Sequence, residues 1–485
     1  MRPVLSVLSA LTLVTYCQPP MVTVTQQASG RSLEVVPVSL SASEAVFKNK
    51  AGQSFTVPVQ SLTAESVEAL RSGLEAVSNA KGDPAVAGLS EELNAAAGHS
   101  LLPGGSLWQE TGAQVARRLG WPQESQKKHH SSYRLYPDPD YSFLGAHPYC
   151  ATIYSGAGDR PLRLSLVFAN KGDFGSSVGF GQSHFQQMHP GKDAPESLQD
   201  AIDLDNDTIS AALTAAVGAP MEQFYGERDD RRKVRRWDVG DHAFLLSALK
   251  EEYVHLLVVP TEDADKEGKV KFVKDAVLKE SHLQNVVTGE NGDVWIENIP
   301  MVNQGPKGYC VPATFERVMR YMNVPADMYL LATVATNPNG GTRSSLLADA
   351  ASRIIRSKAR RMKDLNLGKD LSIKEVQSYI DKGVPLIWQM RSVDAYDDLV
   401  NARSAQRETV QDFADWAQTL QEEADQEDPA LLVDDNYHVC MIIGYNEETR
   451  EIAVSDSWGP RYERRWVHID IAKAVTTSGG FVVDF

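Results

Sequence analysis

The sequence predicts an α+β chain of several domains, and three observations carry that prediction. Its 485 residues exceed what a single hydrophobic core organises. Runs such as LRLSLVFA, HAFLLSAL and EYVHLLVVP read as strands, while TGAQVARRLGW reads as a helix. In the last third of the chain, a cysteine opens an amphipathic helix. A hairpin about 130 residues further on carries a histidine and an aspartate.

Composition narrows the functions. With 42% hydrophobic and 23% charged residues, the chain is globular in character. A net charge of -16 and a pI near 5.2 exclude nucleic acid as a main partner, because phosphate binding needs clustered cationic excess. The basic run RRKVRRW at 231–237 follows Glu227, Asp229 and Asp230, and reads as a solvated face or hairpin edge. Arg2 precedes an apolar run over 4–16, long enough for a signal-peptide core and too short for a bilayer span. Residues 1–20 are therefore expected to direct export, giving an extracytoplasmic (periplasmic or secreted) protein that is not transmembrane after signal removal. Val14-Thr15-Tyr16 before Cys17 is a poor lipoprotein box. The four cysteines, Cys17, Cys150, Cys310 and Cys440, do not make a disulfide framework, and loss of Cys17 with the signal leaves an odd number.

Along the chain, residues 30–75 alternate short β-prone runs with turn residues. Asn49-Lys50-Ala51-Gly52 makes a hairpin, and Thr63 caps a helix with Val67, Leu70 and Leu74 on one face. This small β-barrel-like module resembles the SH3-like barrel of the Sla-homology type found at the start of some exported bacterial proteins. The resemblance implies peptide binding or surface docking, with a folded spacer as the alternative. Residues 76–103, rich in Ala, Gly and Ser, read as a linker with some helical content. Residues 104–262 form an α+β domain of unknown function. Its His129-His130 pair lacks a third ligand at metal spacing and reads as a surface loop. Residues 263–290 are a second, polar connector, and 291–485 carry the chemistry.

In QGPKGYCVPAT, Pro312 fits only the first turn of a helix, which puts Cys310 at the helix N-terminus. Unpaired N–H groups and the helix dipole there favour a thiolate. Phe315, Val318, Met319 and Met322 then share one helical face. The strand YHVCMIIGY, 437–445, has His438 near its start, and a turn at 446–449 leads into EIAVSDSWG. Asp456 is thereby carried to the neighbouring antiparallel strand, where it can face the imidazole. WVHID supplies a rival pair, His468 and Asp470, without a following Ser-Trp-Gly.

QGPKGYC is similar to the Gln-Gly-x-x-x-x-Cys motif of papain-like cysteine peptidases. HVCMIIGY looks like their histidine strand, and DSWG like their Asn-Ser-Trp-Gly. With Asp as third member, residues 296–485 most resemble the bacterial double-glycine leader-processing peptidases and their secreted relatives. GVPLIWQM, from Gly383, is similar to the core strand that precedes the histidine in such folds. The resemblance implies a papain-like catalytic domain with Cys310 as nucleophile, His438 as general acid/base and Asp456 as orienting group. It further implies an oxyanion hole of the Gln304 amide and the Cys310 N–H, with Trp458 shielding the His–Asp contact. Ser457 and Gly305 support the site, and Gly305 and Gly308 turn the loop. Tyr309 and Val311 depart from the family's Ser and Trp around the nucleophile, which bears on the primed-side subsite.

The implied function is exported cysteine peptidase activity on a peptide or protein substrate, with no metal or organic cofactor. Acyl transfer of the transglutaminase or amidase type by the same triad stays open, as does a catalytically silent peptide-binding protein. Residues 394–435 hold thirteen acidic and two basic residues just before His438. They read as a solvated insertion, or alternatively as a selector for cationic peptides or a lid.

Overall fold

The computed structural model describes residues 21–40, 44–49, 54–79, 84–174, 195–269, 273–335, 344–358, 360–426 and 436–485. The signal segment 1–20 with Cys17, the turn residues 50–52 and the acidic stretch 427–435 lie outside the described residues. The chain divides into two units, one ending at Gly88 and the other running from Leu89 to Phe485.

In the first unit, strands Val22–Thr25, Ser32–Leu40, Glu44–Asn49 and Ser54–Pro58 pair antiparallel in sequence order. A helix follows at Ala64–Asn79. Thr63 Oγ1 accepts the Ser66 N–H at 3.3 Å, as its capping position predicts. Alternation buries Ala45 and Phe47 from one strand, and they pack with Val24, Val35 and Leu70 of the helix.

The second unit contains two eight-stranded sheets, with antiparallel pairing wherever strands are described. The first runs in the order Gln123–Gln126, Ser131–Leu135, Cys150–Ser155, Pro161–Asn170, Tyr253–Pro260, His242–Leu249, Arg232–Val239 and Met221–Tyr225. Helix Leu198–Val217 packs on it through Ile202, Ile209 and Leu213, its start fixed by a capping box between Ser197 and Asp200. All of RRKVRRW but Arg231 lies in the strand Arg232–Val239 of this sheet, where Lys233 pairs with Glu222, and Arg236 with Asp238 and Asp265. His129 is exposed and His130 half-buried, beside the turn closed by the Lys127 N–H to the His130 carbonyl.

The second sheet has the order Val286–Thr288, Asp293–Ile296, Tyr437–Asn446, Leu386–Arg391, Thr476–Asp484 and Arg361–Leu365. The Tyr437 strand also pairs with Glu451–Ser455, which pairs in turn with Arg465–His468. Three strands therefore meet at one end of the Tyr437 strand. A Cβ on Gly444 would lie 2.5 Å from the Val294 carbonyl oxygen, so only glycine fits there. The stretch 263–290, polar enough to read as a connector, carries helix Asp275–Leu283 and the edge strand Val286–Thr288 of this sheet. Helix Pro84–Ala97 similarly occupies part of 76–103. Among the described residues, no helix is long and apolar enough to cross a membrane.

Helix Cys310–Tyr321 lies between the two sheets, and every residue from Val311 to Tyr321 is buried. Phe315, Val318, Met319 and Met322 enter the core of the second sheet, the face their spacing predicts. Ala313, with Tyr309 just before the helix, enters the core of the first. Polar contacts follow the same division. Arg134 of the first sheet donates to Glu124 at 2.7 Å and to Glu316 on the helix at 2.8 Å, and Arg320 reaches Glu316 at 3.3 Å. All four side chains are buried. Removing one partner leaves uncompensated buried charge, so Arg134→Met is expected to destabilise the second unit by about 3–5 kcal/mol. Urea unfolding checks this; a midpoint within error of the wild type would mean that the network contributes little.

Candidate active site

Helix Cys310–Tyr321 begins with Tyr309 at its N-cap, and no side chain among the described residues caps it. Of the N–H groups in its first turn, that of Val311 bonds to the Cys310 thiol. Pro312 sits in the first turn, where its missing N–H costs nothing. The thiol is half-buried and within hydrogen-bonding reach of His438.

His438 opens the strand Tyr437–Asn446 opposite Met390. The pairing Met441↔Ser455 puts Asp456, the residue beyond the partner strand's end, on the same side as Cys440 and His438. His438 Nε2 and Asp456 Oδ1 are 2.9 Å apart, which leaves Nδ1 for the thiol. Trp458 stacks on the imidazole with ring centroids 4.7 Å apart, and Tyr462 meets the Trp458 ring edge-on at 5.4 Å. Ser457 links three elements. Its carbonyl accepts the Gln304 N–H at 2.8 Å, and its hydroxyl lies 3.5 Å from Thr314 Oγ1 and 3.4 Å from Arg317 Nη1.

The charges are mutually supporting. Burial opposes a charged imidazole, yet the hydrogen bonds to Asp456 and Cys310 outweigh it and raise His438 to about 10. Burial likewise opposes the thiolate. The hydrogen bond and charge of His438, with the Val439 and Val311 N–H groups, nevertheless hold Cys310 below the ordinary thiol range. For Asp456 the upward push of burial loses to the His438 hydrogen bond and to Arg465. With His438 raised to about 10 and Cys310 held below its ordinary range, the thiolate–imidazolium pair is favoured over the neutral pair.

Arg465 and Arg317 were not found by motif. Arg465 Nη2 donates to Asp456 Oδ2 at 2.7 Å, and the same guanidinium holds Asp397 and Asn401 at 3.1 Å. Asp456 therefore sits between two cationic groups. The one available signal was an arginine opening the strand after Asp-Ser-Trp-Gly, indistinguishable from its neighbour Arg464. Arg317, fully buried on the Cys310 helix, donates to the Ser455 hydroxyl at 2.6 Å and the Pro300 carbonyl at 3.0 Å, which ties helix to sheet. Burial lowers its pKa to about 10.

Gln304 lies on the loop before the helix. Its Nε2 donates to the Lys307 carbonyl at 3.0 Å, which occupies one of two amide hydrogens. Gly305 takes φ 71°, and a Cβ there would meet the Tyr136 ring at 3.0 Å, so the turn requires glycine. Gly308 has no positive φ.

The acidic segment is docked where it is described. Helices Asp394–Arg407 and Phe413–Gln426 bury Tyr396, Val400, Trp416 and Leu420, and Asp397 bonds to Arg465 behind the site. The rival pair is looser: His468 Nδ1 is 3.9 Å from Asp470, whose carboxylate also holds Arg450 and Lys473. Among the described residues, one group has metal-ligating donors close together, His438, Cys440 and Asp456 within 4.8 Å. Its chemistry fits a metal poorly: burial pushes the Cys440 thiol well above its ordinary range, while His438 and Asp456 already bond each other.

A helix-borne cysteine against a sheet-borne histidine and carboxylate is an arrangement of the thiol-hydrolase class. Residues 296–476 match the Peptidase_C39 like family, which relates this part of the chain to papain-like cysteine peptidases. A search of curated proteins found no match to the chain.

Proposed function

We propose that the protein is a cysteine peptidase that hydrolyses peptide bonds with Cys310 as nucleophile, His438 as general acid/base and Asp456 as the group that orients His438. One observation carries the reading: a thiol at an uncapped helix start, in reach of an imidazole whose far nitrogen is 2.9 Å from a buried carboxylate. The Cys310 thiolate adds to the scissile carbonyl, and the resulting oxyanion is met by the Cys310 N–H and the second amide hydrogen of Gln304. His438 gives its proton to the leaving amine as the carbonyl re-forms, which leaves a thioester. It then takes a proton from water, whose oxygen attacks the thioester and releases the acid and the thiolate. Trp458 covers the imidazole and limits water at the His438–Asp456 contact, where low dielectric strengthens it.

The double-glycine leader-processing peptidases remain the favoured relatives within this class on the motifs QGPKGYC and DSWG. Export by residues 1–20 and peptide binding or surface docking by the first unit complete the proposal, with a folded spacer as the alternative for a unit whose described strands form one antiparallel sheet.

An epoxide cysteine-protease reagent tests the reading on folded protein. Mass spectrometry is expected to find adduct at Cys310 and none at the buried Cys150 and Cys440; absence of adduct at Cys310 would count against it. Gln304→Ala is expected to lower kcat by about 10²–10³, as for loss of one oxyanion donor. An unchanged kcat would take Gln304 out of that role.

A further inference from the structure

The loop that carries Gln304 is held from the first sheet's side of the unit. Asn303 N–H donates to Glu124 at 2.9 Å, and its carbonyl accepts the Tyr136 hydroxyl. The strongest hold lies deeper. Asp173, in the short helix Lys171–Phe174, accepts on Oδ1 from both the Lys307 ammonium and, at 3.0 Å, the Tyr309 hydroxyl. Lys307 also donates to the Tyr329 hydroxyl at 2.8 Å. Asp173, Tyr309 and Tyr329 are 0% exposed and Lys307 is 7% exposed. The carboxylate is itself fixed: Asn170 Nδ2 donates to its Oδ2 at 3.0 Å, and the Asp173 N–H returns to Asn170 at 2.9 Å. Its neighbour Gly172 leaves room for this, since a Cβ there would lie 2.6 Å from the Tyr309 hydroxyl.

Two links lead from this carboxylate to the reacting groups. Lys307 is the residue whose carbonyl holds the Gln304 amide, so fixing its side chain fixes the acceptor that aims that amide. Tyr309 is the N-cap of the Cys310 helix, so fixing its hydroxyl fixes the position of the Cys310 N–H. A buried ammonium tolerates no loss of its carboxylate without moving or shedding its proton. Movement of the ammonium displaces the loop, and loss of its proton weakens the charge-assisted bond that anchors Lys307.

We propose that Asp173 is a positioning residue for the oxyanion hole, so that residues well before the peptidase-like segment form a working part of the active site. The proposal rests on the peptidase reading above. A donor displaced rather than deleted costs less than the about 10²–10³ of outright loss. Asp173→Asn, which keeps the shape and removes the charge, is therefore expected to lower kcat on a peptide substrate by about 10- to 100-fold, with KM changed by less than about twofold.

Two controls separate positioning from general damage. Alkylation of Cys310 by iodoacetamide develops no oxyanion, so its rate and pH profile should stay at wild-type values in Asp173→Asn. In a Gln304→Ala background Asp173→Asn should lose the part of its effect that acts through Gln304 and keep the part that acts through Tyr309 and the Cys310 N–H, so the two changes should be less than additive. Tyr309→Phe, which removes one hydroxyl, serves if Asp173→Asn folds poorly, and should give a smaller fall in kcat with the same alkylation behaviour. Wild-type kcat in either folded variant, full additivity with Gln304→Ala, or a parallel loss of alkylation would overturn the proposal. A wild-type enzyme that alkylates at Cys310 but cleaves no peptide would instead overturn the peptidase reading, and this proposal with it.

Discussion

Replacing Cys310 by alanine is expected to abolish the proposed peptide hydrolysis, with a loss on the order of 10⁶ in kcat, the scale seen when a triad nucleophile is removed. The substitution deletes one half-buried sulfur and leaves the helix start intact, so circular dichroism and the urea midpoint should stay at wild-type values. Cys150→Ala is the matched control. Burial pushes the Cys150 thiol to about 12, so it is protonated at neutral pH and unable to substitute as a nucleophile. Hydrolysis retained by Cys310→Ala, or lost equally in both variants, would remove Cys310 from its role.

The second large effect is on pH dependence. In the proposed mechanism the active form pairs a thiolate with an imidazolium, so the rate should rise as Cys310 ionises and fall as His438 loses its proton. Cys310 is held below the ordinary thiol range and His438 is raised to about 10, so the wild-type plateau lies between the two ionisations and its basic limb falls near 10. Asp456→Asn removes the carboxylate whose hydrogen bond and charge help raise His438, while the burial that opposes the imidazolium remains. The protonated form is then lost at lower pH, and the basic limb moves in the acid direction. At neutral pH the rate should drop by about 10³–10⁴, as for amide replacement of other triad carboxylates. A pH–rate profile of the two proteins decides the matter: superimposable basic limbs would show that Asp456 does not set the charge of His438.

The core of the candidate site was legible because each part lies in a short local pattern. Cys310 is announced by a turn, a first-turn proline and a helical stripe of Phe315, Val318, Met319 and Met322. His438 and Asp456 are joined by one hairpin, where strand alternation alone predicts a shared face. What stayed hidden is set by pairing across long stretches of chain. Asp173 to Lys307 and Arg134 to Glu316 have no period and no local spacing to betray them. Arg465 stood among basic neighbours, and its importance comes only from the buried carboxylate it faces. The strand Val286–Thr288 lay in a polar stretch because an edge strand needs little apolar surface.

The burial of the Cys310 helix between two sheets also bears on the order of events during synthesis. Its contacts reach back to Arg134 and forward to Val439, Ser455 and Ser457, so neither half of the chain can complete it alone. During synthesis His438 and Asp456 emerge more than a hundred residues after Cys310. Until then the cysteine is an ordinary thiol on an unfinished scaffold, with no imidazolium to draw off its proton. Under the proposed mechanism the thiol gains its reactivity only once the His438 strand has docked on the Cys310 helix.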